Sequence, residues 1–394
     1  MRTVTLKAGS SKPLWMGHPW VYADSIERVE EGTDDWVRVA DSRGKVVGRG
    51  WWSPQSTIRV RIVDRGEEGP PEAELLAARI AAAVDLRRRL FLDPARTDAY
   101  RLVHAEGDGL PGLVVDRFGP VLVAQFATRP LVARRAAIAP LLLAASGARS
   151  LVARPGGKEE EEGIAGDEVS FVAGDPAPER VEIVEEGLRL CVDLRRGQKT
   201  GHYVDQRENR RLVASAAAGA RVLDLYAGTG GFGLRALLAG AAHASAVDSS
   251  GPALECAREN AARNGVLARY ETVEVDAMEH LSTLARAKTE YDVVVVDPPR
   301  FAATRAGLAR AIDAYRRLNV RALTRVVPGG LLATFSCSGL VDPEPFAEML
   351  RAAGRECRRT LSVLRTLSAG PDHPVDLSAP EGRYLTGLLV QVRP

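Results

Sequence analysis

Asp224-Leu-Tyr226-Ala-Gly228-Thr-Gly230-Gly231-Phe232-Gly233 is the stretch on which the fold turns. It closes an apolar run at 222–226 and opens a helical segment at 234–240. Gly228, Gly230 and Gly233 satisfy G-x-G-x-x-G, a loop in which missing side chains let the backbone approach a ligand closely. From residue 215 onward the pattern alternates. Strands are expected at 222–226, 244–247, 270–275, 293–296 and 331–335, with two more at 361–364 and 384–392. Helices are expected at 234–240, 252–264, 278–286 and 307–326. Near-continuous apolar strands separated by helices predict a buried, mainly parallel sheet of Rossmann-like α/β type.

The carboxylates around the loop separate two ligand classes. Asp224 stands just before the glycines, where it would repel the pyrophosphate of a dinucleotide. It would instead attract the ammonium group of S-adenosylmethionine (AdoMet). Asp248 ends the second strand, placed for ribose hydroxyls. Asp276 ends the third, placed for an adenine amino group. A single strand-end Asp would read as a helix cap; three at successive strand ends point to AdoMet. Tyr226, Gly228, Gly230 and Phe232 of the loop complete this candidate cofactor set.

The fourth and fifth strands end in chemistry of a different kind. Asp297-Pro298-Pro299-Arg300-Phe301 is a stiff turn at the carboxyl edge, where open α/β sheets bind ligands. Cys337, within Phe335-Ser-Cys-Ser-Gly339, shares that edge. The other cysteines, Cys191, Cys256 and Cys357, fall in strand- or helix-like patterns and read as core thiols. A thiolate adding to C6 of a pyrimidine makes C5 nucleophilic toward a methyl donor. For cytosine, protonated Asp297 would donate at N3, where charge develops. The base that takes the C5 proton is not identifiable from the sequence.

The chain has 394 residues, enough for two or three domains. With no apolar run of about 20 residues it is expected to be cytoplasmic, with no membrane partner. No Cys/His cluster suggests a metal. Net charge is +2, distributed as +3 over residues 1–65 (11 Lys/Arg, 8 Asp/Glu), −6 over 66–185 (14, 20) and +5 over 186–394 (28, 23). The two basic ends suit an anionic partner, although 47 Arg against 6 Lys also reflects base composition. Residues 1–66 show short β runs and the aromatic cluster His18-Pro-Trp-Val-Tyr22, predicting a small β-barrel. Residues 67–185 predict a helix at 72–92, a β meander near 100–126, a helix at 131–145 and a strand at 150–153. The Gly-, Glu- and Pro-rich stretch 155–178, with Glu159–Glu162, reads as a solvated loop. Glu185-Glu186-Gly187 is a hairpin signal between strands at 181–184 and 188–194.

Together, Gly197-Gln198-Lys199-Thr-Gly-His-Tyr203-Val-Asp205-Gln206-Arg207, Asp297-Pro-Pro-Arg-Phe301 and Phe335-Ser-Cys-Ser-Gly339 resemble the bacterial 23S ribosomal RNA cytosine-5 methyltransferases with an N-terminal PUA domain. His18-Pro19-Trp20-Val21, Asp372-His373-Pro374 and Pro380-Glu381-Gly382 extend the likeness over nearly the whole chain. The resemblance implies a PUA-like RNA-binding domain (1–66), a central α+β domain (67–185) and a class I AdoMet methyltransferase domain (186–394). It implies that Tyr203, Asp205 and Gln206 lie over the cofactor, alongside Asp297. Lys199, Pro298, Pro299, Arg300 and Phe301 would meet the substrate, 23S ribosomal RNA before or during subunit assembly. Gln198 and Arg300 stand where relatives often carry His and Lys, and the second Cys that some cytosine-5 enzymes place beside Pro-Pro is absent. His373 reads as structural. A uracil-5 or guanine-N2 enzyme, a non-catalytic RNA-binding assembly factor and an NAD oxidoreductase are the alternatives; a homodimer is compatible with the sequence but not derivable from it.

Overall fold

The computed structural model describes residues 1–393 except 92, 158, 166–170, 195–199 and 302–303. Seven strands form the C-terminal sheet: β1 (Arg221–Leu225), β2 (His243–Asp248), β3 (Tyr270–Glu274), β4 (Tyr291–Val296), β5 (Val326–Ser336), β6 (Thr360–Leu367) and β7 (Thr386–Arg393). Their order is β3-β2-β1-β4-β5-β7-β6. The first five are parallel, and β7 runs antiparallel between β5 and β6. The central strands are fully buried: Val222, Leu223, Leu225 and Val293–Val296 expose essentially nothing, as expected for a sheet covered on both faces. The chain winds outward in one direction from β1 and in the other from β4. The crevice between the carboxyl ends of β1 and β4 is therefore the switch point where such sheets bind ligands.

Two helices go beyond the sequence expectation. Pro343–Glu356 buries Phe346, Met349, Leu350 and Ala353, an i, i+3, i+4, i+7 face opened by Pro at the start. Arg207–Ala214 buries Arg207, Asn209 and Arg210 beside Val213. Its inward polar face hides it from any reading based on apolar periodicity.

The N-terminal six strands form one mixed sheet whose edges are Trp20–Tyr22 and Ile26–Val29. Only the turn Ala23–Ser25 separates those edges in sequence. A flat six-stranded sheet would hold them about 24 Å apart, whereas the four residues from Tyr22 to Ile26 reach at most about 14 Å. The sheet must curl, and it does so around Val4, Leu6, Val21, Val37, Val39 and Val60. The barrel is not a detachable module: Trp51 and Val63 belong to the core of the central domain.

In the central domain, Ala99–His104, Leu113–Phe118 and Val121–Phe126 form the expected meander. Ser150–Ala153 adds in parallel. The stretch 155–178 is more than a solvated loop. Val172–Gly174 is an edge strand against Ser150–Ala153. Glu162, in a four-residue helix, is buried and pairs with Arg61 of the N-terminal domain at 2.9 Å. Ion pairing explains how one member of an acidic run goes inside. The hairpin Arg180–Glu185/Leu188–Asp193 turns at Glu186 and Gly187, both at positive φ, the geometry favoured in two-residue turns. The division expected at 185/186 falls in that turn. A single core runs from Phe118 and Val123 through Ile183 and Leu190 to Val222 and Phe335.

Candidate active site

The glycine loop is built by backbone hydrogen bonds. Gly228 and Gly230 sit at φ +53° and +90°, a region unfavourable for side chains. A Cβ at Gly230 would meet Tyr270 Oη at 2.4 Å, whereas one at Gly228 would point into open space. Gly233 N–H donates to Asp224 Oδ2 at 2.9 Å. Asp224 Oδ1 is buried and has no hydrogen-bond partner. Burial, with Asp297 nearby, pushes the Asp224 carboxyl up to about 7 despite the Gly233 bond. Asp248 accepts from Gly228 N at 2.9 Å through Oδ2 and from Ser250 N at 2.9 Å through Oδ1, tying β2 to the loop after β1. Asp276 caps helix Ala277–Ala287, both bonds (2.8 and 3.1 Å) falling on Oδ1. Tyr226, also at positive φ (+62°), lies among these acids. Burial, then Asp276 and Asp248, push its hydroxyl up to about 12. A side chain held in this strained region is a recurrent feature of functional turns. Phe232 faces the other way: its ring is 5.5 Å from Phe335, beneath Arg210, and packing accounts for it.

Across the switch point the ends of β4 and β5 meet. Cys337 Sγ lies 3.7 Å from the Pro298 carbonyl oxygen. Pro298 is buried, Pro299 and Arg300 are exposed, and Phe301 stacks on Tyr315 at 4.6 Å. Tyr315, which sequence reasoning missed, also shores up the cysteine turn. Ser336 Oγ donates to Tyr315 Oη at 3.0 Å and accepts from Ser338 N at 3.3 Å.

The segment 200–206 covers this edge. Gln206 Nε2 donates to Asp297 Oδ2 at 3.0 Å. Tyr384 Oη donates to Asp205 Oδ2 at 2.5 Å. Burial raises the Tyr203 hydroxyl well above its ordinary value, with Asp297, Asp205, Cys337 and Asp248 adding to it. That ring thus stands among the acids of both halves. Lys199, with Gly197 and Gln198, lies outside the described residues.

Behind the segment is a buried ionic junction whose pairings no local motif reveals. Arg207 grips Asp372 at 2.9 and 3.1 Å, both side chains fully buried. Arg101 N and Arg87 reach the same residue, at its carboxylate and its carbonyl. Arg101 pairs with Asp116 at 2.6 Å, and Thr200 Oγ1 donates to Asp116 at 2.6 Å. His373 Nδ1 lies 3.2 Å from Asp372, and its ring packs 5.0 Å from His104. Burial and the neighbouring Arg101 hold His104 down at about 2, so it is neutral, with Nδ1 accepting from Arg101 at 2.9 Å. Arg210 and His202 close on Glu185 at 2.7 and 2.9 Å. Burial would raise Glu185, but Arg210 and the bond with His202 outweigh it and hold the carboxyl at about 2.

A sheet in this order, a glycine loop ringed by strand-end acids and a curled N-terminal sheet together define an AdoMet-dependent methyltransferase with a PUA-like domain. The family described as S-adenosylmethionine-dependent methyltransferase matches residues 127–384, and a PUA-like domain matches 4–65. The chain belongs to the family of the ribosomal RNA large subunit methyltransferase I proteins. It is 35% identical to that protein of Aeromonas salmonicida and 36% identical to that of Shewanella denitrificans, covering 99% of each chain. Among solved structures it superposes on a SAM-dependent methyltransferase-type chain from Streptococcus mutans (TM-score 0.85, 20% identity, all of both chains). A methyltransferase-type chain complexed with SAH superposes equally well (TM-score 0.86, 20% identity, all of both chains). The cofactor is AdoMet, and the residues present fit it: open space above Gly228 and an unpartnered buried oxygen on Asp224.

Proposed function

We propose that the chain transfers a methyl group from AdoMet to C5 of a cytosine in 23S ribosomal RNA. The observation that carries this reading is the contact between the Cys337 thiol and the turn bearing Asp297, at 3.7 Å from Pro298 O. Asp224 would hold the cofactor ammonium, Asp248 the ribose and Asp276 the adenine, with Tyr203 and Asp205 above. When bound, AdoMet supplies an electrophilic methyl on a sulfonium. Cys337 adds as thiolate to C6, breaking the C5–C6 π bond and sending electrons toward N3, where Asp297 donates a proton. C5 becomes enamine-like and would take the methyl as its bond to the sulfonium breaks, releasing S-adenosylhomocysteine. Loss of the C5 proton then expels the Cys337 sulfur as thiolate, and N3 returns its proton to Asp297, which restores the ring. Arg300, exposed beside the turn, suits a phosphate. The target base must leave its stack to reach the thiol, which favours a loop or an incompletely assembled subunit.

The test is methyl transfer from labelled AdoMet to unmodified large-subunit RNA, followed by nucleoside analysis. The expected product is 5-methylcytosine. RNA carrying 5-fluorocytosine at the target should trap a protein adduct that Cys337→Ala cannot form. A product on uracil or on an exocyclic amine overturns the base assignment, and full turnover by Cys337→Ala overturns the covalent route.

A further inference from the structure

We propose that Asn209 is a positioning residue for Asp297, acting through the Gln206 amide; this rests on reading Asp297 as the group at the substrate base. The bonds can be assigned without ambiguity. The Ser368 backbone carbonyl can only accept, so the part of Asn209 that faces it at 3.0 Å is the NH2. The same NH2 meets Gln206 at 2.6 Å, which fixes that atom as Oε1. The Gln206 NH2 then faces Asp297, donating to Oδ2 at 3.0 Å. One carbonyl at the end of β6 thereby sets the polarity of a relay ending on the carboxylate.

The relay has no slack. Asn209 and Gln206 are each 2% exposed, so a reversed amide could not turn to water. It would set oxygen against carboxylate and leave a buried donor unpaired. Asn209 sits between Arg207, locked to Asp372, and Arg210, locked to Glu185. The helix carrying it is therefore anchored on both sides of the amide. Other ionisable groups around Asp297 are Tyr203 on the covering segment, Asp224 on β1, Tyr315 on helix Leu308–Leu323 and Cys337 after β5. Asn209 sets which way the Gln206 amide points, and it holds Oδ2 as an accepting oxygen with the carboxyl plane fixed.

The experiment uses the full chain, with kcat, both KM values and thermal melting measured for each variant. Asn209→Ala and the isosteric Asn209→Asp, which has no hydrogen for Ser368 O or Gln206 Oε1, should each lower kcat about 10–100-fold. Both KM values should stay within about 2-fold. Gln206→Glu sets a second carboxyl against Asp297; the pair shares a proton and one group titrates high. Its activity relative to the parent should therefore rise as pH is lowered from about 8 to about 6. A parent-like kcat in both Asn209 variants overturns the proposal. So does weakened AdoMet affinity with kcat intact at saturation, or a pH-independent ratio for Gln206→Glu. These readouts need only methyl transfer. A product other than 5-methylcytosine, or an active Cys337→Ala, would defeat the proposed function while leaving the Asn209 result interpretable.

Discussion

The two halves of the site are built on different scales of the chain. On the cofactor side each acid bonds backbone close by in sequence: Asp224 to Gly233 (9 residues), Asp248 to Ser250 (2) and Gly228 (20), Asp276 to Met278 (2). Around the covering segment, beside the proposed catalytic groups, the partners are remote: Gln206 to Asp297 (91), Arg207 to Asp372 (165), Tyr384 to Asp205 (179). Local bonds form wherever the strand–turn–helix unit forms. Remote ones require the central domain, the covering segment and the C-terminal loop to dock together. The difference teaches that the glycine-loop half is a property of a motif, whereas the half under the covering segment is a property of the assembled chain.

Asp372→Ala should break the comparison most severely. It strands Arg207 in a fully buried site, and removing one partner of a buried pair costs about 3–5 kcal/mol. Denaturant unfolding should show that loss, with methyl transfer falling in proportion to the folded fraction. Asp276→Ala, by contrast, removes only a local cap and should cost about 1 kcal/mol. If the two substitutions cost the same, the contrast between local and remote construction fails.

Proton linkage at Asp224 sharpens the cofactor half. Its folded carboxyl titrates at about 7, so between the ordinary carboxylate range and pH 7 the folded state binds the extra proton. That contribution to stability is lost as pH rises through 7. An ammonium favours the ionised form, so AdoMet affinity should rise as pH climbs toward 7, by up to about tenfold per pH unit, and level off above it. Calorimetry in buffers of differing ionisation enthalpy should show proton release at pH 6, and Asp224→Asn should abolish both effects. Glu185 provides the corresponding test at acid pH. Its folded carboxyl lies at about 2, below the unfolded value. The stability it contributes is complete above about pH 4.3 and fades as pH falls toward 2, an acid-limb loss that Glu185→Gln should remove.

Sequence pattern located the glycine loop and its strand-end acids, because a near-continuous apolar run followed by glycines has few solutions. Asp276 took the capping role that any strand-end Asp offers, and Tyr226 proved to be in a strained turn that its neighbours explain. The shared edge of Asp297 and Cys337, the proposed catalytic pair, was legible too, since both follow parallel strands whose ends lie side by side. The ring of Phe232, a candidate cofactor residue by its place in the loop, packs against Phe335. Asn209 carried no signal, because a polar residue on a short helix looks solvated until its partner is known, and Asp372 was marked only by a motif that did not reveal its partner Arg207.

By itself the sequence determined the order of strands and helices, the glycine loop and the chemistry available at the sheet edge. Each depends on backbone sterics and periodicity within a few residues. Only the tertiary structure decided which charges go inside. Glu162 leaves its acidic run to meet Arg61, and Arg87 leaves its arginine run to meet Asp108 and the Asp372 carbonyl. The reason is energetic: a buried charge is tolerable only when its counter-charge is already in place, and for Glu162 that counter-charge comes from 101 residues away.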